Sequence, residues 1–184
     1  QRAGDVIPQV IDTIVSRRTG AEQVFEMPKA CPSCGGEVYR PEGEAMTYCT
    51  NITCPAQKYR WLTHFVGRGA MDIEGLGEQW CSVLMDEELV KDPGDIYFLT
   101  RDDLLNLERM GPVLADKILT NIQSSRNRPL ARLLVALGIR HVGGEIAETL
   151  ADELHTLDAI AGATAEELQG IEAIGPKIAE SVCG

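Results

Sequence analysis

Ile73-Glu74-Gly75-Leu76-Gly77 recurs along the chain as Leu107-Glu108-Arg109-Met110-Gly111, as Ile139-Arg140-His141-Val142-Gly143 and as Ile171-Glu172-Ala173-Ile174-Gly175. Each copy reads apolar-x-x-apolar-Gly, and the closing glycines stand 34, 32 and 32 residues apart. A repeat of this period predicts one supersecondary unit used four times. The likeness continues downstream. Three residues past each glycine comes an apolar residue (Trp80, Leu114, Ile146, Ile178), then a small one (Cys81, Ala115, Ala147, Ala179). Three further on comes a second apolar residue (Leu84, Ile118, Leu150, Val182). Offsets of three and four make the inward stripe of a helix, and the small position lets a neighbouring helix come close. Cys81 therefore fills a packing slot and is not read as a nucleophile. The predicted unit is a helix, a tight turn ending in glycine, and a second helix starting just after. Gly-Pro at 111–112 and 175–176 suits such a start, because proline is tolerated in a first helical turn.

A helix N-terminus carries unpaired N–H groups and the positive end of the macrodipole. A glycine beside it removes the side chain that would hold a phosphate away. Each turn can thus offer amides to one phosphate oxygen, which positions a nucleic acid without reading its sequence. The candidate phosphate-contacting residues are Gly75, Gly77, Gly111, Gly143, Gly144 and Gly175, with Lys117, Arg140, His141 and Lys177 beside them. Two other classes compete. A helical solenoid that binds protein has a similar period, but the spaced Trp, Tyr, Phe and Pro of a tetratricopeptide array are not present. A helix-turn-helix reader needs polar base-reading side chains where Pro112, Val113 and Leu114 stand.

Upstream of the repeats, Cys31, Cys34, Cys49 and Cys54 form C-x2-C-x14-C-x4-C. Two close pairs at this spacing are what a tetrahedral thiolate metal site needs. Zinc is the expected ion, and iron also fits the spacing. Four thiolates leave no vacant coordination position, so the expected role is folding and not catalysis. Ahead of them Val6 to Ile11, Thr13 to Val15 and Val24-Phe25 read as strand segments. Gln1 is not an initiator Met, and the chain reads as a piece of a longer protein.

The 184 residues carry a formal net charge of −11, which by itself argues against a polyanionic partner. Its distribution argues otherwise. Residues 109–141 hold six bases (Arg109, Lys117, Arg126, Arg128, Arg132, Arg140) and one acid, Asp116, between two strongly acidic stretches. No apolar run approaches the ~18 residues of a membrane span, so no membrane partner is expected.

Longer motifs carry a resemblance. Arg2-Ala3-Gly4-Asp5-Val6-Ile7-Pro8, the cysteine module ending Cys54-Pro55-Ala56-Gln57, and His64-Phe65-Val66-Gly67-Arg68-Gly69-Ala70-Met71-Asp72-Ile73-Glu74-Gly75-Leu76-Gly77 resemble bacterial NAD-dependent DNA ligase, as does Leu137 to Gly143. The family usually has serine where this chain has Gly67. The resemblance implies a mainly α chain with four tandem helix-hairpin-helix motifs, preceded by a small four-Cys zinc finger and the last strands of an OB-fold β-barrel. Residues 1–28 would be the barrel tail, 29–58 the zinc finger and 59–184 the DNA-binding domain. It implies nicked double-stranded DNA and the rest of the ligase chain as partners, in the bacterial cytoplasm. Zinc would be bound here, whereas NAD and Mg would be used elsewhere in the protein. The family's nucleophilic lysine motif has no counterpart, so no catalytic residue is expected in this chain.

Overall fold

The computed structural model describes residues 11–184. Residues 11–28 form one turn of 3-10 helix, Val15–Arg17, and no strand. The strand expected at Thr13 to Val15 is thus replaced by a helical turn, and Val24-Phe25 is likewise unpaired. A short strand holds its shape only with a ladder partner, and among the described residues none lies alongside. Every residue from 11 to 30 is exposed. The expectation for residues 1–10 lies outside the described residues.

The cysteine module contains a two-stranded antiparallel sheet, β1 (Val38–Tyr39) and β2 (Tyr48–Cys49), with Val38 opposite Cys49. From Pro55 onward the chain is helical. The order is α1 (Pro55–Val66), α2 (Glu78–Asp86), a 3-10 segment (Pro93–Phe98), α3 (Arg101–Leu105) and α4 (Pro112–Ser125). Then come α5 (Leu130–Leu137), α6 (Gly144–Leu154), α7 (Leu157–Gly162), α8 (Ala165–Gln169) and α9 (Pro176–Cys183). Helices α2, α4, α6 and α9 each follow one of the four glycines.

Two cores result. The first joins Leu62 and Phe65 of α1 to Ile73, Leu76, Cys81, Leu84, Ile96, Leu104, Ala115 and Ile118. The second joins Leu134 to Val142, Ala147, Leu150, Ile160, Leu168, Ile174 and Ala179. All four small-slot residues are buried, as the periodicity predicts. Helix α5 separates the cores: Leu133 and Ala136 face the first, Leu130 and Leu134 the second, and Val135 touches both. Its sequence, Leu-Ala-Arg-Leu-Leu-Val-Ala-Leu, is apolar nearly all round because it has a core on either side.

The halves are also related by a longer period. Asp92 caps the 3-10 segment and Thr100 caps α3; 64 residues later Thr156 caps α7 and Thr164 caps α8. Thr100 with Asp103, and Thr164 with Glu167, form reciprocal capping boxes. The hydroxyl and amide of Thr100 hold Asp103 below the usual carboxylate range, and the amide and hydroxyl of Thr164 do the same for Glu167.

Candidate functional site

The four repeats fold into four turns of one backbone geometry. In each, the amide of the second apolar residue donates to the carbonyl of the first: Leu76 to Ile73, Met110 to Leu107, Val142 to Ile139 and Ile174 to Ile171, at 3.1 to 3.2 Å. The intervening residue that turns the chain lies in the left-handed region: Gly75, Arg109, His141 and Ala173, with φ from 67° to 98°. Only the first of these is glycine. The closing glycines, Gly77, Gly111, Gly143 and Gly175, are instead extended N-caps with φ between −80° and −92°.

Any residue adopts that backbone. A Cβ added at Gly77, Gly111, Gly143 or Gly175 would meet nothing within 4 Å. Neither local conformation nor packing inside the protein requires glycine at these four places. The caps also offer no side chain: none of the four helices has a side-chain hydrogen bond at its N-terminus. Helices α3, α7 and α8 spend Thr100, Thr156 and Thr164 on theirs. The helices after the turns therefore leave amides of their first turn without a side-chain partner, beside open space. Helices α4 and α9 open on Pro112 and Pro176, which carry no N–H. So α4 offers those of Val113 and Leu114, and α9 that of Lys177, since Ile178 donates to the Gly175 carbonyl.

Gly75 differs. Its φ is +98° and a Cβ there would stand 2.9 Å from Ile118 Cγ1. This glycine lets turn 1 lie against α4, so its place in the structure is packing. The Asn121 side chain fastens the same turn, its Nδ2 donating to the Glu74 carbonyl at 2.8 Å.

The basic stretch is largely engaged within the protein. Lys117 meets Glu74 at 2.7 Å, Arg128 meets Asp72 at 2.8 Å, and Arg140 pairs with Glu44 of the cysteine module while lying over the Tyr48 ring. Arg132 donates to the carbonyls of Ala70 and Arg68, and Arg126 to that of Tyr97. The partners stand 29 to 96 residues away in sequence, so residue order alone does not reveal them. Asp116 is paired with Arg101 at 2.7 Å, whose guanidinium draws its carboxyl below the ordinary range. Lys177 and His141 are exposed and share an open cleft with Gly175, Pro176 and Ile178, so turns 3 and 4 present one surface. Gly144 opens α6 with free space around it. His64 Nε2 lies 2.7 Å from the Val135 carbonyl, and His155 is the exposed left-handed C-cap of α6. Burial pushes the Cys81 thiol up to about 11, which keeps it protonated and inert, as its packing role requires.

The four module cysteines converge. Their sulfurs all lie within 4.8 Å of one another, with Cys31 and Cys54 3.9 Å apart and Cys34 and Cys49 3.6 Å apart. A disulfide needs about 2.05 Å, so these are free thiols. Thiolates held about 2.3 Å from a tetrahedral zinc stand roughly 3.8 Å from each other, which these spacings bracket. Backbone amides of Cys34 and Ser33 pull Cys31 below its usual range, and the Asn51 side chain and Gly36 amide do so for Cys34. At Gly36 a Cβ would crowd Asn51 Cβ and Cys34 Sγ at 3.2 Å each, so a larger residue there would need these neighbours to give by a few tenths of an ångström. The donor set fits structural zinc.

Among the described residues no helix is long and apolar enough to cross a membrane. A family model described as the NAD-dependent DNA ligase C4 zinc finger domain matches residues 30–56. One described as a helix-hairpin-helix motif matches residues 132–184, which hold the third and fourth turns. The chain is 47% identical over 182 residues to a DNA ligase of Caldicellulosiruptor bescii, covering 99% of this chain and 27% of that one. It is 50% identical over 192 residues to a DNA ligase of Dehalococcoides mccartyi, covering 99% and 28%. A DNA ligase of Bacillus licheniformis is 48% identical with the same reach, 99% and 27%. The chain thus spans a little over a quarter of the length of these relatives.

Proposed function

The chain belongs to the NAD-dependent DNA ligase family, and on that premise we propose that it is the part of such an enzyme that grips duplex DNA. The observation that carries this reading is the set of four closing glycines. They recur in one chain, no backbone angle demands them, and no neighbouring atom excludes a side chain. The demand comes from a ligand that must reach the amides behind them. A phosphate oxygen has the charge and size to do so. Four such contacts along a sugar-phosphate backbone hold a duplex whatever its sequence.

Turns 1 and 2 share one core and turns 3 and 4 the other, so each half offers a pair of grips. The site residues on this reading are Gly77, Gly111, Gly143, Gly144 and Gly175 for close approach, with His141 and Lys177 flanking the last two turns. Lys117 and Arg140 join them when phosphate competes with Glu74 and Glu44. Cys31, Cys34, Cys49 and Cys54 would hold one zinc, which supplies folding energy and no chemistry. Residues 1–28 are assigned to the end of an oligonucleotide-binding barrel, 29–58 to the zinc finger and 59–184 to the clamp.

For the whole enzyme, the proposed reaction is sealing of nicks between 5′-phosphate and 3′-hydroxyl in bacterial DNA, with NAD as adenylyl donor and Mg. No residue of this chain is given a covalent role. The test is a fluorescence-anisotropy titration of the chain against a labelled nicked duplex over a salt series. We expect sequence-independent binding whose log K falls linearly with log salt. Absence of binding even at low salt refutes the reading.

A further inference from the structure

We infer that the exposed face of α1, carrying Lys58, Arg60 and Trp61 and continued by Lys91, is a second type of contact with the backbone of the same duplex, bridging turn 1 and turn 3. The inference rests on the proposal that the turns hold DNA, and it adds residues that neither the repeat nor the basic stretch identifies.

Two adjoining clefts carry the argument. One is lined by Arg60, Thr63 and His64 of α1 together with Leu76, Gly77 and Glu78, so it opens on turn 1. The other runs from Lys58, Arg60, Trp61 and His64 to Lys91 and to Leu137-Gly138, the entrance to turn 3. Arg60 and His64 line both. The helix thus forms the floor between two of the proposed phosphate grips, and spacings of three and four put Gln57, Lys58, Arg60, Trp61 and His64 on one side of it.

The charges differ from those of the stretch 109–141. Among the described residues, Lys58, Arg60 and Lys91 make no salt bridge, whereas Arg109, Lys117, Arg128 and Arg140 of that stretch each do. Two acids line the clefts. Asp92 spends its carboxylate on the Gly94 amide, and Glu78 sits in the first turn of α2. Trp61 remains 39% exposed and Leu137 36%. Apolar side chains set among free cations match a strand backbone, whose sugars are apolar and whose phosphates are anionic. Continuity with both turns selects duplex DNA as the occupant over an acidic protein.

The experiment compares the parent chain with Lys58→Gln/Arg60→Gln/Lys91→Gln and with Gly143→Val, using a short nicked duplex between about 50 and 200 mM salt. Zinc content and thermal midpoint confirm that each variant is folded. Each phosphate contact removed lowers the salt slope by about 0.9, so the triple variant should lose roughly two to three. Binding should also quench the fluorescence of Trp61 in the parent, and Trp61→Phe should remove most of that response. If Gly143→Val weakens binding while the triple variant keeps the parent's slope, the turns hold DNA and the α1 face does not. That outcome overturns this inference alone and leaves the face to an acidic protein. A parent chain that does not bind overturns both.

Discussion

Replacing Gly111 or Gly143 by valine separates the ligand's demand for glycine from the fold's. At both sites the backbone is extended, with φ of −92° and −90°, and a Cβ meets no atom of the protein. Valine therefore costs only the difference in N-cap preference, about 1 kcal/mol, or a fall in thermal midpoint of roughly 2–4 °C for a chain of this size. Toward DNA the cost is larger. On the proposed reading, the added methyls stand where a phosphate must come to reach the Val113 amide of α4, whose first residue is proline, or the Gly144 and Glu145 amides of α6. Losing one hydrogen bond to a charged group removes about 1.5–3 kcal/mol, which weakens Kd roughly 10- to 150-fold. Gly75→Ala is the converse. Its φ of +98° and the 2.9 Å approach to Ile118 Cγ1 place the penalty in the fold, about 1–3 kcal/mol. Anisotropy titration and thermal melting on the three variants read both quantities. A Gly111→Val chain that melts near the parent and binds duplex with the parent's Kd would refute the argument from the glycines.

Other outcomes follow from the same geometry. Chelation of the metal should increase amide exchange in residues 29–58 and leave the cores of α1 to α9 protected, as hydrogen-exchange mass spectrometry would register. Arg132→Leu removes the donor to the carbonyl of buried Ala70, while water can replace it at exposed Arg68, and should cost about 1 kcal/mol in denaturant unfolding. Acid should loosen the capping boxes. The carboxyls of Asp103 and Glu167 titrate below their unfolded values, so their contribution is complete above those values and lost as pH falls through the folded ones. Asp103→Asn/Glu167→Gln should then flatten the acid limb of the stability curve, measured by circular dichroism.

The helices and the glycine turns were legible because their signals are local. An apolar pair, a glycine and a stripe at offsets of three and four lie within a dozen residues, and burial of Cys81, Ala115, Ala147 and Ala179 follows directly. The cysteine site was legible because a tetrahedral thiolate cage imposes its own spacing. The electrostatics were not. Arg128 and Arg140 read as a basic run until the fold brings Asp72 and Glu44 to them from 56 and 96 residues away. The left-handed positions at Arg109, His141 and Ala173 also went unseen, since nothing in an arginine or alanine announces a positive φ. The strand expected at Thr13 to Val15 shows the complementary failure: alternation describes a surface, and pairing needs a second chain segment that no local pattern supplies.

Helix α5 makes the molecule mechanically indivisible. It is a common wall, so neither half can lose its apolar interior without baring the other side of the same eight residues. Heating should therefore melt both halves in one transition, and damage at Val135 should be felt at all four turns, though the residue lies in none of them. On the proposed reading, such a shared spine would also keep the two pairs of turns at one separation along the duplex.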